Sequence, residues 1–174
     1  MIWRALCSGV SLLLLTAACS STHSTLPVHT VSIPKACDVV TASDAANVLE
    51  TAVVANSAPH SPTWACQYLA TGLDATTHVP AGMAVASIQH GSGSTWARLF
   101  DLRRAGKVRD ASSHAPSAAV QGVSGVGDEA LWDGTWLLTR DGDWLLQISV
   151  RDVDRPDRAR AVALARLALR HLPR

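Results

Sequence analysis

The chain has 174 residues and a mass of 18.3 kDa, which is enough for one domain of ordinary size. Hydrophobic residues make up 48% of the chain and charged residues 17%, so a sizeable core is feasible and a wholly disordered chain is excluded. The 15 basic side chains nearly balance the 14 acidic ones. A chain with so little net charge lacks the positive field that nonspecific nucleic-acid binding requires, and we expect no nucleic-acid partner.

The N-terminal segment has the features of an export signal, and we predict that residues 1–18 are removed as a lipoprotein signal peptide. Arg4 supplies a positive charge, and Ala5–Leu15 form an apolar stretch that is too short to span a bilayer as a helix. The next residues, Leu-Thr-Ala-Ala-Cys ending at Cys19, resemble the lipobox of bacterial lipoprotein precursors, with a threonine where an aliphatic residue is more usual. The resemblance implies that Cys19 carries diacylglycerol, and two acyl chains suffice for stable anchoring. A plain secretory peptide with an incidental Cys19 is the alternative.

Residues 19–36 have the composition of a tether. They are rich in serine and threonine, contain two prolines and show neither a helical nor a strand period, which favours an extended, solvated spacer. The anchor and the tether together predict a single domain, residues 37–174, held at the outer face of the cell membrane.

Two cysteines remain for the domain once Cys7 has left with the signal peptide and Cys19 has been acylated. Export would place Cys37 and Cys66 in an oxidising compartment, where a single disulfide is the economical interpretation. The alternative is a metal or redox site. Neither cysteine belongs to a C-x-x-C pair, and no histidine stands at a zinc-ligand spacing from either one.

The first half of the domain predicts two helices and two strands. A helix begins at Thr41, where Asp44 three residues later is typical of a capping box. Strands follow at Trp64–Leu69, where alternate residues share a face, and at Met83–Ile88. A second helix is predicted over Thr95–Ala105, and Gly106 ends it.

The second half is richer in strand signals. Pro116–Val123 predicts a short edge strand. From Glu129 onward, the turns at Asp133-Gly134 and Asp141-Gly142 separate apolar runs and predict a three-stranded antiparallel meander. A terminal helix is predicted to begin with Pro156 at its first position. This order of elements predicts an α+β fold, an antiparallel sheet with helices packed on one face and one disulfide.

The last strand and the last helix are both predicted to be two-sided. In the strand Trp144, Leu146, Ile148 and Val150 share one face, and we expect the other face to meet water. In the helix a buried stripe at helical spacing leaves several arginines outside it. These arginines either form a solvated face or contact anionic headgroups or an acidic partner; they are Arg155, Arg158, Arg160, Arg166 and Arg170.

Three short segments of the chain have a recognisable composition. They are Ala36–Ala45, with a cysteine, an acidic residue, an apolar pair and a threonine; Trp64–Tyr68, with the second cysteine among aromatics; and the glycine-rich Val123–Ala130. Together they resemble a family of actinobacterial, mycobacterial-type cell-envelope lipoproteins of unknown function. The resemblance implies the same membrane address, one disulfide and an α+β domain over most of the chain. It implies no catalytic residues.

Neither a catalytic set nor a metal or cofactor site is predicted. The sequence around Ser124 places Val126 where a nucleophile elbow needs glycine, and the histidines stand singly. Three tryptophans of the meander, Trp132, Trp136 and Trp144, are possible ligand-facing aromatics that could line an apolar pocket. Packing in the core of the sheet is the alternative interpretation.

The sequence therefore favours a noncatalytic, lipid-anchored protein of the cell envelope. The membrane is its expected partner through the lipid anchor, together with an unidentified envelope protein or apolar ligand. A carrier of an apolar small molecule or lipid is the alternative function, and an envelope hydrolase is less favoured.

Overall fold

The computed structural model describes residues 32–56, 65–73, 81–107, 120–153 and 155–174. Residues 1–31, with the predicted signal peptide, Cys19 and most of the tether, lie outside the described residues. The helices are α1 (Ala36–Val39), α2 (Ala42–Leu49), α3 (Gly93–Arg104) and α4 (Arg158–Ala168). The strands are β1 (Val53–Asn56), β2 (Ala65–Ala70), β3 (Gly82–His90), β4 (Gln121–Val123), β5 (Glu129–Trp132), β6 (Leu137–Asp141), β7 (Trp144–Asp152) and β8 (Arg155–Pro156).

The strands form one antiparallel sheet in the order β1-β2-β3-β7-β6-β5-β4, and β8 pairs with β7. The long strands β3 and β7 pair along their whole length, from Gly82 opposite Asp152 to His90 opposite Trp144. The predicted meander is present as β5-β6-β7, and β4 lies at an edge of the sheet. The α+β class and the antiparallel sheet are confirmed.

One face of the sheet carries the larger core, and three helices cover it. Alternate residues of β7, including Ile148 and Val150, point into this core together with Tyr68 of β2. The stripe predicted for the last helix supplies the opposing surface, with Leu164 and Ala165 completely buried. Helices α1, α2 and α4 therefore close this face by apolar burial.

The helix α3 packs on the opposite face, which is the exception to the predicted packing of helices on one face. Phe100 of α3 is completely buried against a second apolar cluster, formed by Leu131, Leu138 and Leu145. These leucines lie on β5, β6 and β7 and alternate with the residues of the larger core. The face that we expected to meet water is thus partly covered, and even Ser149 on it is buried.

The helix ends follow the capping rules, with one correction. Thr41 and Asp44 form the predicted capping box of α2, each side chain accepting a hydrogen bond from the backbone N–H of the other residue. The terminal helix begins at Arg158 and not at Pro156, which instead lies in β8 opposite Arg151. Asp157 is the N-cap, because its carboxylate accepts a hydrogen bond from the N–H of Arg160 at 2.9 Å.

Gly127 is required by the turn that precedes β5. Its φ is +57°, and a Cβ atom at this position would lie 2.4 Å from the carbonyl oxygen of Arg140. Both the left-handed backbone and the close approach of β6 exclude a larger residue here. The glycine-rich stretch predicted from the sequence is therefore a structural turn, and Ser124 is exposed within it.

Candidate functional site

Cys37 and Cys66 form the predicted disulfide, with their Cα atoms 5.2 Å apart. Cys37 lies on α1 and Cys66 on β2, so the bond joins the first helix to the sheet. Tyr68 supports the same corner, because its hydroxyl donates a hydrogen bond to the carbonyl oxygen of Val40. The disulfide therefore serves as a structural bond at the point where the tether meets the domain.

Tyr68 is the single tyrosine of the chain, and its buried position raises the pKa of its hydroxyl to about 12 from an ordinary value of 10.0. Burial is the larger cause, and the negative charges of Asp44 and Asp38 add to it. Because the folded state binds the proton more tightly than the unfolded state, this contribution to stability is complete below pH 10. It is lost as the pH rises towards about 12.

We expect the tyrosinate absorbance of the folded protein to titrate with a midpoint near pH 12. In urea the midpoint should return to about 10. The Tyr68→Phe variant is the control, because it should show no such absorbance and a flatter fall of stability above pH 10. A folded-state midpoint near 10 would contradict the buried hydrogen bond to Val40.

An apolar space of about 170 Å³ lies beside the disulfide, lined by residues of α1, β3 and β7. It is too narrow to admit a water-sized sphere, so it is not a preformed ligand pocket. A carried apolar molecule would therefore have to open this part of the core.

The structure separates the three tryptophans that were possible ligand-facing aromatics. Trp132 and Trp144 are buried in the larger core, whereas Trp136 packs against the second cluster on the opposite face. The indole N–H of Trp144 donates to the carbonyl oxygen of Pro173 at 3.1 Å, and its ring meets the ring of His90 edge to face. The contacts of Trp144 are those of a core residue that holds the C-terminus.

Carboxylates of the meander hold backbone groups in place. Asp143 accepts from the N–H of Gly93 at 2.7 Å, at the start of α3, and its carbonyl oxygen accepts from the indole N–H of Trp96. Asp128 accepts from the N–H of Gly142 at 2.8 Å. Within the described ranges no group of three or more His, Cys, Asp or Glu side chains could hold a metal ion.

Ion pairs that the sequence analysis missed fasten the C-terminal end of α3. Arg104 contacts Glu129 of β5, and Arg103 approaches Asp133 to 3.5 Å, where both side chains are nearly buried. The partners are 25 and 30 residues apart in the chain, so no local pattern could have paired them. They hold α3 over the second cluster.

The arginines of α4 and of the turn that follows it fall into two groups. Arg160 lies among acids, with Glu50 at 3.4 Å, Asp152 at 3.6 Å and Asp157 at 3.7 Å. Three others are exposed, and we call them the basic face of α4: Arg158, Arg166 and Arg170. The basic face therefore carries three exposed positive charges.

Two exposed apolar side chains, Val54 and Leu73, lie near the β1 edge of the sheet. Isolated apolar side chains are common on protein surfaces, and these two do not define a binding site. In the part of the chain that the structure describes, no helix is long and apolar enough to cross a membrane.

The fold and its contacts define a one-disulfide α+β domain with an antiparallel sheet. No family model, no curated protein and no solved structure matches the chain. The resemblance to actinobacterial envelope lipoproteins therefore stays a prediction that depends on the short segments quoted above.

Proposed function

We propose that this protein is a noncatalytic lipoprotein of the outer face of the cell membrane, where it binds a protein partner or ligand. The observation that carries the proposal is the N-terminal sequence: a charged residue, an apolar stretch, small residues before Cys19, and then a polar tether. This order is typical of a chain that is exported and retained by lipid at a cysteine.

The disulfide supports the export step. A disulfide between α1 and β2 suits a protein that folds in an oxidising compartment, because cytosolic thiols are kept reduced. Cys19 stands apart from this pair, with 17 residues between it and Cys37. The lipid and the disulfide thus use different cysteines, and both can be present in the same chain.

Several polar groups of the described residues hold backbone in place and so do not form a catalytic set. The carboxylates of Asp44, Asp143 and Asp157 cap helices, and the ring nitrogen Nδ1 of His171 lies 2.9 Å from the carbonyl oxygen of Val39. Groups that fix backbone in this way have a structural task. A catalytic site needs its polar groups directed at a bound substrate.

We expect Cys19→Ala to abolish acylation, so that the protein is no longer anchored and leaves the membrane fraction. The measurement is the mass of the N-terminal peptide, read together with the distribution of the protein between membrane and soluble fractions. Cys7→Ala is the matched control: it also removes a cysteine from the N-terminal segment and should leave acylation unchanged.

Two outcomes would contradict the anchor. Retention of the Cys19→Ala protein at the wild-type level, with an unmodified N-terminal peptide in both proteins, would show that Cys19 is not acylated. Release of the wild-type protein, cleaved and soluble, would favour the plain secretory peptide.

A further inference from the structure

We propose that the basic face of α4 binds the anionic phospholipid headgroups of the membrane that carries the anchor, and so sets the orientation of the domain. This inference rests on the proposed function, because the anchor is what brings the domain to the membrane. The chemical class of the ligand is the phosphate group of anionic lipids.

The sequence of the last helix concentrates positive charge. Residues 158–174 contain five arginines and no aspartate or glutamate, although the whole chain is nearly neutral. Arg166 lies on the side of α4 that faces away from the core, and Arg158 lies at the edge of that side. Arg170 follows in the turn after the helix and is exposed as well. The side chains between them are short, since Ala159 and Ala163 are the other exposed residues of this surface.

The contacts of the basic face leave its charge uncompensated. Arg158 donates to the side-chain oxygen of Gln121 at 2.7 Å, and Arg166 donates to the carbonyl oxygen of Gly125 at 3.2 Å. Both acceptors are neutral. Within the described residues the acids around α4 surround Arg160 instead, so the basic face keeps its positive potential while the guanidinium groups of Arg158 and Arg166 are held in position.

The tether joins the domain beside the C-terminal end of α4. The ring of His171 contacts the carbonyl oxygen of Val39 at the end of α1. The tether enters α1 one turn earlier, at the N-cap residue Lys35. Covalent geometry limits the thirteen residues from Cys19 to Ser32 to about 45 Å. The anchor would therefore keep this end of the domain within about 45 Å of the membrane, with Arg170 next to His171 near the attachment point.

Guanidinium groups suit such a surface because they donate two parallel hydrogen bonds to a phosphate group. Each basic residue near an anionic leaflet strengthens binding by roughly fivefold. The apolar side of α4 is buried in the core, and the exposed side carries alanines between its arginines. The contact is therefore at headgroup level and without insertion into the acyl chains.

Because two acyl chains already retain a protein at a membrane, the effect of the basic face is on orientation. Binding through α4 would place the larger core and the sheet above the headgroups. The helix α3, on the opposite face of the sheet, would then point away from the membrane. That side would be the one accessible to a partner.

The test uses the acylated, mature full-length protein reconstituted through its own anchor into vesicles. An environment-sensitive fluorophore is attached to Ala163→Cys on the basic face or, as a positional control, to Ala105→Cys at the end of α3. The vesicles contain either phosphatidylcholine alone or phosphatidylcholine with phosphatidylglycerol. We expect the Ala163→Cys label to report headgroup contact only in vesicles with phosphatidylglycerol, and the Ala105→Cys label to stay in water in both.

Charge variants make the test specific. Arg166→Gln with Arg170→Gln should lower the ratio of headgroup-contacting to solvated label by more than about tenfold, at roughly fivefold for each arginine. The matched control is Arg98→Gln with Lys107→Gln, which removes two exposed positive charges from the α3 side and should change the ratio little. Added salt should reproduce the effect of the first pair.

Three results would overturn the inference. The first is equal headgroup contact in both kinds of vesicle, and the second is an equal effect of the two pairs of charge variants. The third is a label that responds to soluble polyglutamate but not to phosphatidylglycerol, which would assign the basic face to an acidic protein. Failure of the anchor itself is seen separately, because a protein without acylated Cys19 would not co-float with vesicles of phosphatidylcholine alone.

Discussion

Replacing both Cys37 and Cys66 with alanine is expected to lower the free energy of unfolding by roughly 3–4 kcal/mol. The bond closes a loop of 29 residues, and in its absence the unfolded chain gains the entropy of that loop. The loss should be visible as a lower urea midpoint in denaturation followed by tryptophan fluorescence. Acylation at Cys19 should be unchanged.

The local consequence follows from the size of α1. A helix of four residues has almost no stability of its own, and this one is held by the disulfide, by Tyr68 and by the burial of Val39. In the double variant we expect faster amide exchange over residues 36–40, while α4 stays protected until the whole domain unfolds. The tether would then be attached to a segment that opens more readily than it does in the wild-type protein.

Reduction of the wild-type protein separates the two effects of the substitutions. Reduction opens the crosslink but keeps both sulfur atoms in the core, so it should reproduce most of the loss of stability. A double variant within about 1 kcal/mol of wild type would show that the crosslink contributes little. Free thiols in the native exported protein would contradict the bond itself.

Strong local patterns explain what the sequence predicted well. The two Asp-Gly turns predict the meander, because a tight turn between two apolar strands favours one antiparallel pairing of those strands. The stripe of the terminal helix identifies its buried side, and the small number of cysteines left for the domain identifies the disulfide. Each of these signals lies within one segment of the sequence or depends on the number of cysteines.

The placement of α3 could not be derived in the same way. Trp96, Leu99 and Phe100 show that one side of the helix is apolar, but the same pattern would suit either face of the sheet. The deciding signal was Leu145, which is apolar between Trp144 and Leu146 and interrupts the alternation of β7. Leucines at such positions in three adjacent strands build a second apolar surface, and α3 covers it.

The sequence also did not predict the elements whose stabilising partners are far away in the chain. The strand β1 is four residues long and pairs with β2 at the edge of the sheet, while α1 depends on its disulfide. The ion pairs of Arg103 and Arg104 with the meander need the fold before the partners meet. The basic face of α4 was visible as a set of arginines, but only the contacts separate Arg160 from the rest.

The second large effect is expected from Phe100→Ala, which should lower the free energy of unfolding by about 3–5 kcal/mol. Phe100 is completely buried and is the main apolar contact of α3 with the sheet. Truncation removes the ring and leaves a cavity above Leu131, Leu138 and Leu145, because strands held in a continuous ladder cannot collapse into it. Denaturation in urea measures the loss.

Leu164→Ala is the matched control on the other face, since Leu164 is equally buried in the larger core. Both variants should lose stability, but amide exchange should distinguish them. Phe100→Ala should accelerate exchange in α3 first, because the hydrogen bonds from Gly93 and Trp96 to Asp143 and the ion pair of Arg103 hold only its ends. Leu164→Ala should accelerate exchange in α4 first. If both variants opened the same helix first, the two apolar clusters would form one cooperative core, and the opposite placement of α3 and α4 would have no separate energetic consequence.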